Sequence, residues 1–327
     1  MLETSPLAGL IGRTPCIELT HASAHYGCRI YGKIEGRNPT GSHKDRENWE
    51  AIKDALTLGF DTIGCASTGN AAISLAALSR IVGLNCHIYV SAGISQEKLN
   101  LIRSFHPILH RIRGDYEQAV QTSNQQMREQ NIYVANPGQC LAKIEGDKKI
   151  GLEIANEISP DVLVCPANNG THLIGVWEGI KEKNLKPATI AATAKRTAIA
   201  DSIAGFHRFE AGRWKDFLRN SAAQVINVND SQIQNAMNLL LRDGVIAEPA
   251  GATSLAALDH LEIQKNSTIC CTITGSGLKF PRLLQRLFKT SQTSMAKKRP
   301  LRPKTLLSKF SDTTDREISH HTGKHEI

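Results

Sequence analysis

The 327-residue chain has no CxxC pair, no apolar stretch long enough to span a membrane, no internal sequence repeat and no linker between domains. Its eight cysteines are scattered, with only Cys270 and Cys271 adjacent. That spacing suggests neither a zinc site nor a disulfide frame, and the cysteines read as small core hydrophobes. The N-terminal Met1-Leu2-Glu3-Thr4-Ser5 lacks the basic-then-apolar layout of a secretion signal, so the expected compartment is the cytoplasm. His106, His110 and His172 show no ligand spacing with acidic partners, and no metal is expected.

What is present is an ordinary globular composition, 41% hydrophobic with a mean hydropathy of −0.25. The net charge of +8 divides evenly. Residues 291–327 hold eight Lys/Arg against four Asp/Glu, so half of the surplus sits in a polar stretch without periodicity. That stretch reads as a disordered, solvated basic tail, and neither a membrane nor a nucleic acid is expected as a partner.

Apolar runs of strand length alternate with helix-period segments from end to end, as in an α/β architecture. Helices are expected over 47–58, 71–82, 95–105, 116–130, 147–158, 173–183, 230–242 and 252–261. Strands are expected over 62–66, 86–90, 108–112, 132–135, 162–164, 189–193 and 267–272. Four polar turns in this scheme carry the chemistry. Asn38-Pro39-Thr40-Gly41-Ser42-His43-Lys44 places one lysine behind a Pro/Gly turn, before a helix with Trp49, Ile52, Ala55 and Leu56 on one face. A lysine fixed there against an apolar wall is costly to keep charged, which favours the neutral amine that forms a Schiff base. Ser67-Thr68-Gly69-Asn70-Ala71 and Pro166-Ala167-Asn168-Asn169-Gly170-Thr171 each follow a strand and open a helix, leaving backbone N–H groups for an anion. Thr274-Gly275-Ser276-Gly277-Leu278-Lys279 follows the last strand. Such turns can converge at the carboxyl edge of a parallel sheet. Each also has a plainer reading: Ser67 and Asn70 as helix caps, Thr274 as a sheet-end hydroxyl.

Taken in order, these segments resemble the fold-type II pyridoxal-phosphate enzymes of the tryptophan synthase β superfamily, and the wording is closest to threonine synthase. The resemblance rests on Gly12-Arg13-Thr14-Pro15, Gly36 through Arg46, Cys65 through Asn70, Ile144-Glu145-Gly146, Gly244 through Ala250 and Thr274 through Lys279. It spans roughly the first 290 residues.

The resemblance implies an α/β fold of two lobes, each with a mostly parallel sheet flanked by helices. Residues 1–35 and 140–290 would form a large lobe and 36–139 a small mobile one carrying Lys44, with 291–327 as the tail. It implies pyridoxal 5′-phosphate as cofactor, a small amino acid as substrate and a homodimer. Lys44 would carry the cofactor and shuttle the substrate α-proton. Ala167, Asn168, Asn169, Gly170 and Thr171 would hold its phosphate, although the family usually has more glycine there. Asn70 would donate to the ring 3′-oxygen and Thr274 would face the ring nitrogen. Backbone N–H groups of Ser67, Thr68 and Ala71 would hold the substrate carboxylate. His43 replaces the usual phenylalanine. Glu248-Pro249-Ala250-Gly251 matches a segment near the active site, but reads equally as a solvated helix cap, so Glu248 stays outside the catalytic set.

The implied reaction is elimination and replacement on an O-activated amino acid, as in the conversion of O-phosphohomoserine and water to threonine and phosphate. Lys143 stands where the family has an arginine for the substrate phosphate, and the companion serine is not retained. A serine/threonine dehydratase or another β-replacing synthase therefore remains an alternative, with a non-catalytic protein binding through its tail as a remote one.

Overall fold

The computed structural model describes residues 7–205, 209–279, 281, 284 and 285. All but the last lie in one compact unit, residues 1–284. The basic tail at 291–327 lies outside the described residues.

Two sheets organise the unit. The first contains β1 (Cys16–Glu18), β2 (Arg29–Ile34), β7 (Val162–Pro166), β8 (Ala188–Thr193), β9 (Gln224–Asn227) and β10 (Thr268–Ile273), in the order β1-β2-β10-β7-β8-β9. Only the edge pair β1–β2 is antiparallel. The second contains β3 (Thr62–Ala66), β4 (Asn85–Ser91), β5 (Ile108–Ile112) and β6 (Tyr133–Val134), all parallel, in the order β5-β4-β3-β6. Central strands covered on both faces read as unbroken apolar runs rather than alternating ones. All six residues of β10, Thr-Ile-Cys-Cys-Thr-Ile, are buried. The four cysteines nearest the sheet centres (Cys65, Cys165, Cys270 and Cys271) are free, buried core residues.

The helices are α1 (Thr20–Tyr26), α2 (Lys44–Thr57), α3 (Asn70–Val82), α4 (Gln96–Arg103), α5 (Tyr116–Glu129), α6 (Ala142–Glu157), α7 (Thr171–Glu182), α8 (Ala211–Ser221), α9 (Asp230–Arg242) and α10 (Pro249–Ala256). Around the second sheet, Trp49, Ile52 and Ala55 of α2 pack with Ile63, Leu75 and Ile88. Leu56, expected on the same face, is instead exposed. Around the first, Ile150 and Ile154 of α6 pack with Leu173, Val176 and Ile180 of α7 and with Leu163 and Cys270.

Two of the helices that start earlier than expected shape the site. Helix α2 begins at Lys44 rather than Glu47, so the lysine occupies the first helical turn. Helix α6 begins at Ala142, which brings Lys143 and Asp147 onto one helix a turn apart. Where α6 crosses α2, a Cβ on Gly146 would fall 2.5 Å from Arg46 O and 2.8 Å from Glu47 Cα, so the backbones touch. On the other side of α6, a Cβ on Gly175 of α7 would fall 2.6 Å from Asp147 Cβ. Glycine is required at both crossings, and the result is that residues of α2, α6 and α7 meet at close quarters.

Candidate active site

A cavity of about 250 Å³ opens where β3 and β7 end, lined by Lys44, by the 67–71 and 167–170 turns, and by Lys143 and Thr274. Every residue expected in the site lines it except Thr171, whose hydroxyl donates to Asn169 Oδ1 at 3.2 Å.

The two helices that point at the cavity start differently from α5 and α9. Asp115 and Asn229 cap α5 and α9 with full capping boxes. Helices α3 and α7 have Gly69 and Gly170 at that position and no side-chain cap. Neither Ser67 nor Asn70 is therefore an N-cap residue. Among the described residues, the N–H groups of Thr68, Asn70 and Ala71, and those of Asn168, Asn169, Gly170 and His172, donate to no protein acceptor. Four free donors at the start of α7 suit a phosphate, and three at the start of α3 suit a carboxylate. Ser67 N–H is not among them, because it donates to Tyr89 O at 3.0 Å. Ala167 N–H is likewise spent on Ala192 O at 2.8 Å. Gly170 adopts φ +101°, and a Cβ there would strike the Trp214 ring at 2.6 Å, which explains the glycine that the two asparagines precede. Asn168 lines the cavity, and its Oδ1 is buried without a hydrogen-bond partner.

Lys44 is held by a network that the sequence words Gly12-Arg13-Thr14-Pro15 and Asp45-Arg46 spell out. Arg46 donates to Glu35 at 2.8 and 2.9 Å and to Glu153 at 2.7 Å twice. Thr14 Oγ1 and Asn38 Nδ2 complete the Glu35 carboxylate at 2.6 and 2.7 Å. Burial alone would raise the Glu153 carboxyl, but the hydrogen-bonded Arg46 guanidinium wins and holds it down at about 2. Asp45 accepts from Thr40 N at 2.7 Å, tying the Pro/Gly turn to the helix that follows.

The lysine does not face an apolar wall, as the sequence suggested. Its amine is ion-paired with Glu47 of the same helix, and a quarter of its side chain is exposed to the cavity. Glu47 is buried, and burial pushes its carboxyl up to about 7. Behind it lies Asp147 of α6, pushed up to about 6 by burial. Asp147 Oδ1 accepts from His172 Nδ1 at 3.0 Å, and His172 Nε2 accepts from the Thr272 hydroxyl at 3.0 Å. His172 thus has an acidic partner after all, supplied from 25 residues upstream by the α6–α7 packing. Burial holds its imidazole down at about 4. His43 packs against His172 with the ring centroids 4.6 Å apart and the planes tilted by 56°, and donates from Nδ1 to Thr274 O at 3.2 Å. His43, Asp147 and His172 offer ligand atoms within 4.8 Å of one another. Asp147 Oδ1, His172 Nδ1 and His43 Nδ1 are engaged in the hydrogen bonds just described, and the cluster carries no metal assignment.

Asn70 and Glu248 form a second buried group. The Asn70 amide donates to both Glu248 oxygens at 2.9 Å and accepts from Lys279 Nζ at 2.6 Å. Glu248, expected as a solvated cap, is 5% exposed and lines the cavity. A Cβ on Gly275 would lie 2.2 Å from its Oε1, so the Gly275 turn is shaped to admit that carboxylate. The amide that the resemblance directs at the cofactor ring is thus already committed to a protein carboxylate. Sequence reasoning missed Glu47, Asp147 and Glu248. The available signal was an acidic residue one turn after the key lysine.

Lys143 is 2% exposed and lines the cavity, and its amine forms no ion pair or hydrogen bond with a described residue. At the mouth, Lys98 Nζ pairs with Asp201.

The family model described as pyridoxal-phosphate dependent enzyme matches residues 7–275. A threonine synthase of Bacillus sp. (strain ULM1) is 33% identical over 85% of this chain and 87% of its own length. One from Methanocaldococcus jannaschii is 30% identical over 83% and 76%. Among solved structures, O-ureido-L-serine synthase superposes with a TM-score of 0.76 at 18% identity, covering 89% of this chain and 99% of its own. Maize serine racemase gives 0.75 at 21%, covering 88% and 95%. At those identities the structures speak for the fold, which is the fold-type II arrangement of two mostly parallel sheets flanked by helices. With the sequence match and the helix-end anion seats in agreement, the chain belongs to the pyridoxal-phosphate-dependent enzyme family and is a lyase with pyridoxal 5′-phosphate as its cofactor.

Proposed function

We propose that the protein catalyses elimination and replacement on O-phosphohomoserine, releasing phosphate and forming threonine. The observation that carries this reading is a second cationic seat in the same cavity. The uncapped start of α7 supplies one place for a phosphate, and buried, unpartnered Lys143 supplies another. A dehydratase acting on serine or threonine has no use for the second. The carboxyl that Lys143 acts on, Glu47, is already paired with Lys44, and a buried amine without a hydrogen-bonded counter-ion of its own is stabilised by a ligand that brings one. The 30–33% identity to threonine synthases supports the same substrate class.

In this reading the cofactor, once bound, supplies the electron sink for bond breaking at the amino-acid carbons. The chain does the rest. Lys44 would attach the cofactor and move the α-proton. The N–H groups of 168–170 and 172 would hold the cofactor phosphate, and those of Thr68 and Ala71 would orient the substrate carboxylate. Thr274 would face the ring nitrogen, and Asn70, braced by Glu248 and Lys279, would fix one edge of the site. Lys143 holds the phosphate that leaves, as a point charge where an arginine would offer a fork. We assign the sheet built from 62–134 to the small lobe and the other to the large one.

Borohydride treatment of the yellow enzyme should leave a pyridoxyl group on Lys44, and an adduct on another lysine would reject that assignment. Supplied with O-phosphohomoserine, the enzyme should release phosphate and threonine in equal amounts. Oxo-acid and ammonia from serine or threonine, with O-phosphohomoserine inert, would replace this reading by the dehydratase one.

A further inference from the structure

We propose that Glu47 and Asp147 hold a single exchangeable proton between them, in contact with Lys44, so that Glu47 is the local proton acceptor and donor of the Lys44 amine. This rests on the reading of Lys44 as the attachment lysine. It adds residues that lie behind the cofactor seat, Asp147 reaching the start of α7 only through the His172 imidazole.

The geometry comes from three helices. Glu47 sits one turn after Lys44 on α2 and pairs with its amine. The glycine crossing at Gly146 brings Asp147 of α6 within hydrogen-bond reach of Glu47. Two carboxyl groups in contact and fully buried cannot both ionise, so one carries a proton. The surrounding hydrogen bonds say which. Asp147 Oδ1 already accepts from His172 Nδ1, an interaction that favours the anionic form of Asp147. Asp147 Oδ2 is buried with no other donor than the neighbouring carboxyl can provide. His43 donates from Nδ1 to a carbonyl, which leaves its Nε2 bare, 3.6 Å from Glu47 Oε1. A bare nitrogen beside a carboxyl oxygen is tolerated when that oxygen's group is protonated. The proton therefore rests on Glu47, between Asp147 and the lysine.

The remaining titratable groups that face Glu47 are Lys143 of α6, His172 of α7, Cys65 of β3 and Tyr116 of α5. None competes as the immediate partner. Lys143 is the other cation acting on Glu47 and pulls it toward ionisation, while burial keeps His172 neutral. The step balances within the site: the Lys44 ammonium gives a proton to Glu47 as Glu47 passes its own to Asp147 Oδ2, leaving a neutral amine and two carboxylic acids, and the reverse returns it. A lysine that must alternate between amine and ammonium gains a nearby proton store at no cost in net charge.

The test uses two isosteric variants, of which only one should change the reactivity of the lysine. In the full-length chain before pyridoxal phosphate is added, Lys44 is acetylated across a pH series and read by peptide mass spectrometry. In Glu47→Gln the amide reproduces the neutral, protonated acid, and the labelling of Lys44 stays close to that of wild type. In Asp147→Asn the shared proton is no longer required, Glu47 ionises, and Lys44 is labelled several-fold more slowly than in wild type. Slowing in Glu47→Gln as large as that in Asp147→Asn, or no slowing in Asp147→Asn, overturns the proposal. A general loosening of the site would expose the lysine in both. If Glu47→Gln does not fold, the infrared carbonyl stretch of a protonated carboxylic acid decides. Wild type should show it at pH 6 and Asp147→Asn should lose it, and an unchanged band, or none in wild type, overturns the proposal. A pyridoxyl group found away from Lys44 would defeat the attachment reading separately, without moving these labelling shifts.

Discussion

Gly146→Ala tests the central packing claim. Alanine exceeds glycine in helix propensity by about 1 kcal/mol, so in an open helix the change would stabilise. Here the new Cβ would sit 2.5 Å from Arg46 O, 2.7 Å from Arg46 C and 2.8 Å from Glu47 Cα, all backbone atoms of α2 that cannot rotate away. Reaching an ordinary 3.4 Å contact requires α2 and α6 to part by about 0.9 Å. Overpacking of this kind costs about 1–3 kcal/mol, which outweighs the propensity gain. The displaced helix carries Lys44 in its first turn, and a shift of about 1 Å at a reacting group lowers the rate by about a hundredfold. Urea unfolding and the kcat for phosphate release are the assays. Gly212→Ala is the control, since nothing lies within 4 Å of the Cβ it would gain in α8, and it should be neutral or stabilising. If Gly146→Ala matched wild type in both stability and turnover, the backbone contact between α2 and α6, and the meeting of Glu47 with Asp147, would be refuted.

Two further outcomes follow from other parts of the site. Lys143→Met removes a charge-assisted contact worth about 1.5–3 kcal/mol, so KM for O-phosphohomoserine should rise about 10- to 100-fold; spectral binding of an unphosphorylated amino acid should hardly change, and equal losses for both would reject the phosphate role. His172 is held down at about 4 by burial, whereas the unfolded chain takes up that proton near 6.5, so the wild type loses stability as pH falls through this window. Asn at 172 has no such proton, and the stability gap between wild type and His172→Asn should narrow by up to about 3 kcal/mol from pH 6.5 to pH 4 in denaturant titrations.

The alternation of strands and helices was legible because the buried parallel strands are plain apolar runs; Ile108–Ile112 and Asp230–Arg242 were read to the residue. Strands β1, β2 and β9 and helices α1 and α8 were not read. Strand β2 hides behind Lys33, whose fully buried amine is satisfied by Thr14 O at 2.6 Å and Glu157 at 2.7 Å, a pairing no local pattern reveals. The turns of the site were legible for a different reason: a helix that starts with glycine, after an apolar strand, advertises unspent donors. Glu47 and Asp147 were not legible. On one helix each looks like a charge on a solvated face, and only the glycine crossings, set by residues far apart in sequence, turn that face inward.

Lys143 and Asp147 lie one turn apart on α6, a helix gripped on both sides by glycine contacts. Any slide or roll of that rod therefore moves the clamp for the departing group and the acid–base pair together. Drift toward new substrates would then be steered away from α6. It would fall instead on the rim, where the Lys98–Asp201 pair can be exchanged without retuning the chemistry underneath.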